Sequence, residues 1–248
     1  MFSLFKKNIA APADFGHLHT DMHSHLLPGI DDGAPDMETS LQLIRAMQDM
    51  GYQRLITTPH IFKDYYPNTP EIILGKLAEV RLAIAAAGIS IQLDAAAEYF
   101  LDEHFETALQ AGTLLTLPGN HVLVEMSFLA PYPKLHQTLF DMQTRGYHPI
   151  LAHPERYLYY AGDLEQFDQI RQYGCALQVN LLSLSGYYGK PVKSLALKLL
   201  EKGWVDYLGT DLHHDRHTTS LQGAELGRIL TGYEFKNRQW AFADAESR

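Results

Sequence analysis

The chain carries one cysteine in 248 residues, Cys175, so it can form no internal disulfide, and a thiolate metal cluster is excluded. Cys175 lies in the run Cys175-Ala176-Leu177 and reads as a small buried hydrophobe. It lacks the phosphate-cradling loop that a cysteine phosphatase requires. Long apolar runs are also missing: none approaches the ~18 residues of a membrane-spanning helix. The opening segment, MFSLFKKNIAA, has no continuous apolar stretch like that of a secretory leader. Export is therefore not expected, and residues 1–13 read as a surface arm. Basic residues are scarce, with 20 Lys and Arg against 29 Asp and Glu, for a net charge of −9. They form no cluster, which argues against a nucleic-acid partner. Neither a Gly-x-Gly-x-x-Gly fingerprint nor a Walker phosphate loop occurs, and there is no internal repeat or low-complexity tract.

What the chain does have is 46% hydrophobic residues, enough for the core of one α/β domain spanning residues 1–248. Helical and strand-like segments alternate. A first strand ends near His23. Pro35 to Met50 reads as a helix with an apolar stripe from Met37 to Met50, capped by Asp32 or Asp36 and stopped by Gly51. Arg54 to Thr58 is a strand ended by Pro59. Glu71 to Ala87 is a helix, and Ile89 to Ala97 a strand leading to Glu98. Strands follow at His121–Glu125, His148–Ala152, Ala176–Asn180 and Val205–Thr210. Helices are expected at Lys134–Thr144, Leu164–Tyr173 and Pro191–Lys202, and also over 217–230 and 234–243. About seven strands with intervening helices indicate a parallel α/β architecture, although periodicity does not separate a barrel from an open sheet. The loops at Tyr65–Pro70 and Tyr187–Gly189 are candidates for the walls of an entrance.

The informative pattern lies at the strand ends. They deliver His23, His25 and Asp32, then His60, Glu98, Glu125 and His153, and finally Asp211 and His213. Imidazole and carboxylate suit hard or borderline divalent cations, and parallel α/β enzymes gather their active groups at the carboxyl ends of strands. Each residue has a bland alternative: a satisfied polar group, a helix-start acid at Glu98, an ion-pair partner at Glu125, or a turn at His153-Pro154. Together they point to a metal cluster, because buried charges need compensation. His17 and His19 read as structural or surface groups. His214 and His217 stand beside the last ligands, with a surface role as the plain alternative, and His104, His121, His136 and His148 follow no pattern. Arg156 and Arg216 each lie three residues beyond a candidate ligand and suit a phosphate clamp, the alternative being ion pairs with Glu155 or Asp215.

The segment Asp21-Met22-His23-Ser24-His25-Leu26-Leu27-Pro28-Gly29-Ile30-Asp31-Asp32-Gly33 resembles a motif of a known family. So do Thr58-Pro59-His60, Val124-Glu125, Ala152-His153-Pro154-Glu155-Arg156-Tyr157 and Gly209-Thr210-Asp211-Leu212-His213. The family is the bacterial manganese-dependent tyrosine phosphatases of the polymerase and histidinol phosphatase (PHP) superfamily, associated with capsule and exopolysaccharide. The resemblance runs from about Thr20 to Arg216. The Leu26–Ile30 stretch resembles one branch of the family more than its capsular members, and the arm before Asp14 lies outside the common core.

The resemblance implies a distorted TIM-like (β/α)7 barrel and three divalent ions, with Mn2+ foremost and Fe, Zn or Mg as alternatives. His23, His25, Glu98 and Asp211 would hold one ion. Glu98, Glu125 and His153 would hold a second, and Asp32, His60 and His213 the third. Arg156 and Arg216 would grip phosphate, with His213 or His214 assisting the leaving group. The implied reaction is hydrolysis of phosphotyrosine by a hydroxide held on the ions, and the implied partner is the tyrosine-rich tail of a bacterial autokinase that controls polysaccharide export. The implied location is the cytoplasm near the inner face of the membrane. Homo-oligomerisation is left open. The alternatives are a phosphoesterase acting on a small phosphomonoester such as histidinol phosphate, a non-phosphatase hydrolase on a related barrel, and a non-catalytic metal-binding regulator of the kinase.

Overall fold

Parallel strands cannot be joined by tight turns, so an alternating chain of this kind must cross over through helices. The computed structural model describes residues 14–241. The expected arm, 1–13, lies outside the described residues, as do positions 242 and 243 of the expected last helix. In chain order the elements begin with β1 (Thr20–Asp21), α1 (Met37–Asp49), β2 (Arg54–Thr57), β3 (His60–Ile61) and α2 (Pro70–Ala86). There follow β4 (Gln92–Ala95), β5 (Glu98–Phe100), α3 (Glu103–Ala111), β6 (His121–Glu125), α4 (Leu135–Thr144) and β7 (His148–Ala152). The chain continues through α5 (Glu165–Gln172), β8 (Ala176–Asn180), α6 (Leu181–Ser185), α7 (Lys190–Glu201) and β9 (Tyr207–Gly209), then α8 (Asp215–Leu221), α9 (Ala224–Leu230) and a 3-10 turn at Lys236–Trp240.

All the strand pairings are parallel, in a three-stranded sheet β1-β2-β4 and a six-stranded sheet β3-β5-β6-β7-β8-β9. β2 and β3 are one strand interrupted at Thr58-Pro59, and β4 and β5 are one interrupted at Ala96-Ala97. Backbone bonds carry the ladder across these breaks: Ala96 N–H donates to Thr57 O at 2.9 Å and Glu98 N–H to Pro59 O at 3.1 Å. A parallel bridge between Ser24 and Leu212 joins the first strand to the last, with His25 N–H on Leu212 O at 2.9 Å. The result is a closed ring of seven parallel staves, a distorted α/β barrel. The seam is reinforced from below. Asp21 accepts from the Thr210 N–H at 2.9 Å and its hydroxyl at 3.0 Å, and Asn237 donates to Thr20 O at 3.0 Å and Leu208 O at 2.7 Å.

Several boundaries differ from the sequence expectation. Pro59 interrupts the second strand rather than ending it, because it lacks a ladder donor but its carbonyl still accepts. Glu98 accordingly starts β5 and is not a helix-start acid. α3 was not anticipated: its buried stripe is only Phe105 and Leu109, although Asp102 caps it by accepting from Phe105 N–H at 2.7 Å and Gly112 closes it with φ 69°. The expected helix over 217–230 is divided at Gln222-Gly223 into α8 and α9. The 234–243 segment is a 3-10 turn where it is described. α1 is capped by Asp36, whose carboxylate accepts from Thr39 N–H at 2.8 Å.

Strand alternation sorts the side chains into two layers. Val122 and Val124 of β6 and Leu177 and Val179 of β8 face the helices in the larger apolar cluster. Met22, Ile56, Leu123, Ile150 and Tyr207 belong to a smaller cluster that fills the ring near the strand starts, where the Trp240 ring stacks on Tyr207 at 4.9 Å. Among the described residues, no helix is long and apolar enough to cross a membrane.

Candidate active site

The residues that follow the inner apolar layer toward the carboxyl ends of the strands are polar. On β6 the inward set is His121, Leu123 and Glu125. On β8 it includes Gln178 and Asn180. His153 and Asp211 lie one and two residues past the ends of β7 and β9, in left-handed backbone with φ of 34° and 51°. That conformation costs on the order of 1–2 kcal/mol for a residue with a Cβ, and it turns both side chains over the ring.

All nine sequence-derived candidates meet there. Glu98 Oε2 lies 3.2 Å from His23 Nε2, 3.4 Å from His25 Nε2 and 3.2 Å from His60 Nδ1, while its Oε1 is 3.0 Å from His153 Nε2. Asp211 Oδ1 is 3.4 Å from each of His23 Nε2, His25 Nε2 and His213 Nδ1. Glu125 reaches His60 Nδ1 at 3.0 Å and His153 Nε2 at 3.8 Å. Asp32, on an exposed loop, stands 3.5 Å from both His60 Nε2 and His213 Nε2. Four overlapping groups have the spacing to hold a metal ion: His25-Asp32-His60-His213, His23-Glu98-His153, His23-His25-Asp211 and His60-Glu98-Glu125.

The hydrogen bonds behind these groups decide whether a cation fits. His23 Nδ1 is 2.7 Å from Gln178 Oε1, His25 Nδ1 is 2.8 Å from Asp31 Oδ2, and His213 Nδ1 is 2.9 Å from Asp211 O. Every one of those partners is an acceptor, so each Nδ1 carries a proton and each Nε2 points inward, where a divalent cation can take the place of a second proton. The His23 and His25 Nε2 atoms then face each other at 3.4 Å, with carboxylates around them. Glu98 Oε2 and His60 Nδ1 are buried without a hydrogen-bond partner. Such an arrangement needs positive charge inside it, supplied by protons on the imidazoles or by a bound cation that replaces them. Burial disfavours the charged form of every group here. Glu98 and Asp211 nevertheless hold the His23 pKa above its ordinary value, Asp31 and Asp211 do so for His25, and Glu98 and Glu125 raise His60 to about 9. The histidines in turn hold Glu98 and Asp211 well below the carboxylate range. Nitrogen and oxygen donors without thiolate fit borderline or hard divalent ions.

The cluster forms the floor of a cavity of about 730 Å3. Arg156 projects into it, with its guanidinium 4.2 Å from the Phe128 ring centroid and 4.5 Å from that of Tyr188, and with Nη1 3.4 Å from Asp211 Oδ2. It does not pair with Glu155, which instead accepts from Asn180 N–H at 2.9 Å. Arg216 is placed differently. α8 begins at Asp215, and Arg216 in its first turn is exposed beside the cavity-lining His214 without itself lining the cavity. The loops expected at the entrance do supply wall residues, Tyr65 and Tyr66 on one side and Tyr187 and Tyr188 on the other. His214 lines the cavity and is exposed, whereas His217 is buried and accepts from His213 N–H at 3.2 Å. Burial, followed by the neighbouring His214 and His213, lowers the His217 pKa to about 3, so the ring is neutral. Cys175 is buried and does not line the cavity, and burial pushes its thiol pKa up.

Sequence reasoning did not single out Asp31, Gln178, Asn180 or Phe128, and it marked Tyr188 only as part of an entrance loop. Two amides alternating with Leu177 and Val179 on a strand were a usable signal for Gln178 and Asn180. The aromatic pair around Arg156 had none, since its members are separated by about sixty residues of sequence.

The sequence model of the family described as "Capsular polysaccharide synthesis, CpsB/CapC" matches residues 19–224. The tyrosine-protein phosphatase YwqE of Bacillus subtilis is 29% identical over 223 residues, covering 85% of this chain and 88% of that protein. The structure superposes with a TM-score of 0.79 and 27% identity on a chain from the crystal structures of YwqE from Bacillus subtilis and CpsB from Streptococcus pneumoniae, described as unique metal-dependent tyrosine phosphatases, over 87% of this chain and 88% of that one. Histidinol phosphate phosphatase of Lactococcus lactis shares the fold at 14% identity and a TM-score of 0.51, over 91% of this chain and 95% of that one.

Proposed function

The chain belongs to the CpsB/CapC family, and from that membership we propose that it is a metal-dependent protein-tyrosine phosphatase, with one PHP-type domain spanning residues 1–248 and residues 1–13 as an arm. The observation that carries the reading is the convergence of inward-facing imidazole and carboxylate donors from six strand ends on the floor of one open cavity. Its resident ions are three divalent cations, manganese foremost. His23, His25, Glu98 and Asp211 hold one, Glu98, Glu125 and His153 a second, and Asp32, His60 and His213 the third. When bound, the ions supply an activated water and neutralise charge on the transferring phosphoryl group.

The chain's own residues do the rest. Arg156 lies against the Phe128 and Tyr188 rings, and its guanidinium grips the nonbridging phosphate oxygens. Asp211 Oδ2 anchors one arm of the guanidinium and so fixes the angle of the grip. Arg216, exposed on α8 beside the cavity-lining His214, is the second arm of the clamp, reaching the phosphate from the rim. Phe62, Phe100, Phe128 and Tyr188 supply apolar walls that suit a phenyl ring and exclude water from the reacting centre. A tyrosine leaving group, with a pKa near 10, needs little protonation to depart. Cys175 takes no part. The aromatic mouth favours phosphotyrosine on an extended polypeptide, the tail of a bacterial tyrosine kinase that governs polysaccharide export, in the cytoplasm.

Turnover on a phosphotyrosyl peptide, a phosphoseryl peptide and histidinol phosphate, measured after chelation and after return of single metals, tests this. Metal-restored turnover greatest on the phosphotyrosyl peptide is expected. Preference for histidinol phosphate would transfer the assignment to a small-ester phosphatase, and metal uptake without any phosphatase activity would point to a regulator.

A further inference from the structure

Of the seven staves of the ring, only β8 brings no candidate ligand to the cavity. Beyond Ala176, its inward side chains are the amides Gln178 and Asn180, both fully buried. They are joined into a directed chain. Gln178 Oε1 takes the His23 Nδ1 proton at 2.7 Å, Gln178 Nε2 donates to Asn180 Oδ1 at 2.8 Å, and Asn180 Nδ2 donates to Asp211 Oδ2 at 2.7 Å. Each link fixes the next. Asp211 can only accept, so Asn180 must turn its NH2 that way and its oxygen toward Gln178. Gln178 must then point its own oxygen at His23, which is left protonated on Nδ1. Glu155 holds the backbone of the same strand end by accepting from Asn180 N–H at 2.9 Å.

We infer that Gln178 and Asn180 are positioning residues: they set the tautomer of His23 and the direction of the Asp211 carboxylate as one unit, so that both are ready to bind a divalent ion. The inference rests on the metal-site reading given above. It also separates the two neighbouring imidazoles chemically. His25 is backed by the Asp31 carboxylate at 2.8 Å and His23 by a neutral amide, so His25 is the more strongly donating ligand of the pair. The chain extends to the phosphate clamp as well, because the Asp211 oxygen that accepts from Asn180 also faces Arg156 Nη1 at 3.4 Å, leaving Oδ1 for the metal side.

The test is Mn2+ affinity, read by chelator-competition titration of the metal-stripped full-length protein. The variants are Gln178→Leu, Asn180→Leu and the double variant, each with the thermal midpoint of its metal-free form. Each single replacement is expected to weaken binding about 10- to 100-fold. The double is expected to be no more than a few-fold weaker than the worse single, because the chain fails wherever it is cut. Wild-type affinity in either single variant, or losses that multiply in the double, would overturn the inference. If the variants do not fold, the wild-type Zn2+-loaded protein with 15N-labelled histidine decides. A His23 ring protonated on Nδ1 supports the inference, and one protonated on Nε2 overturns it. Wild-type protein that takes up no Mn2+ would overturn the metal-site reading itself, and this inference with it.

Discussion

The barrel buries charge at both ends, in opposite ways. At the strand starts, Arg54 is 1% exposed and donates through Nε to Asp94 Oδ2 at 2.7 Å and through Nη1 to the Trp240 carbonyl; Arg81 and Gln92 supply the remaining donors to Asp94. Fixed positive charge meets fixed negative charge within the chain, and the end is complete as folded. At the strand finishes, Glu98, Glu125, Asp211 and Asp32 face imidazole nitrogens, and the one permanent cation among them, Arg156, is held to the side. That end draws its positive charge from solution, as protons on the imidazoles or as a bound cation. A buried ion pair stabilises little beyond its own desolvation, so the two ends separate structural charge from charge kept for chemistry.

The difference can be pressed hardest at the open end. Asp211→Ala or His23→Ala should remove metal and, with it, several kcal/mol of transition-state stabilisation, about a thousandfold or more in turnover; metal analysis beside a phosphotyrosyl-peptide assay reads both. Full activity in metal-free Asp211→Ala would end the contrast. At the closed end, Arg54→Leu leaves Asp94 with only Arg81 and Gln92 and should lower stability by about 1–3 kcal/mol, seen in denaturant melts, while kcat per folded molecule stays unchanged. A kcat loss as large as that of Asp211→Ala would show that the two ends are not separable. Arg156→Ala should lower kcat/KM about 100-fold with metal content retained, and equal loss of metal would place Arg156 in the ion site after all. Replacing Phe128 or Tyr188 with Leu removes one ring contact of the guanidinium, worth about 1 kcal/mol, and should lower kcat/KM a few-fold. Least of all, thiol-alkylating reagents should leave turnover untouched, because Cys175 is buried away from the cavity.

The order of strands and helices was legible because apolar periodicity and punctuation by glycine and proline are local. Strands β6, β7 and β8 have the bounds the pattern gave. The closure of the ring was not local. The bridge from Ser24 to Leu212 depends on sheet twist and on Asp21 meeting Thr210, and periodicity carries no trace of either. Among site residues, those that end strands as His, Asp or Glu could be read directly, since ionisable groups in such places need a reason. The amides on β8 are quieter, because Gln and Asn carry no charge to betray burial. Arg156 and Arg216 looked equivalent by spacing. Only the start of α8 sends Arg216 outward, and helix boundaries are the least determinate part of a sequence pattern.

The Ser24–Leu212 seam also bears on how the protein comes into being. Its first and last staves meet across nearly the whole chain, and His23 and His25 lie on one side of the join with Asp211 and His213 on the other. A ribosome must therefore release the chain from His23 through His213 before all the candidate donors can come together. A chain cut short of the seam keeps the groups His23-Glu98-His153 and His60-Glu98-Glu125 but lacks Asp211 and His213, so the full set of donors exists only once both staves are made.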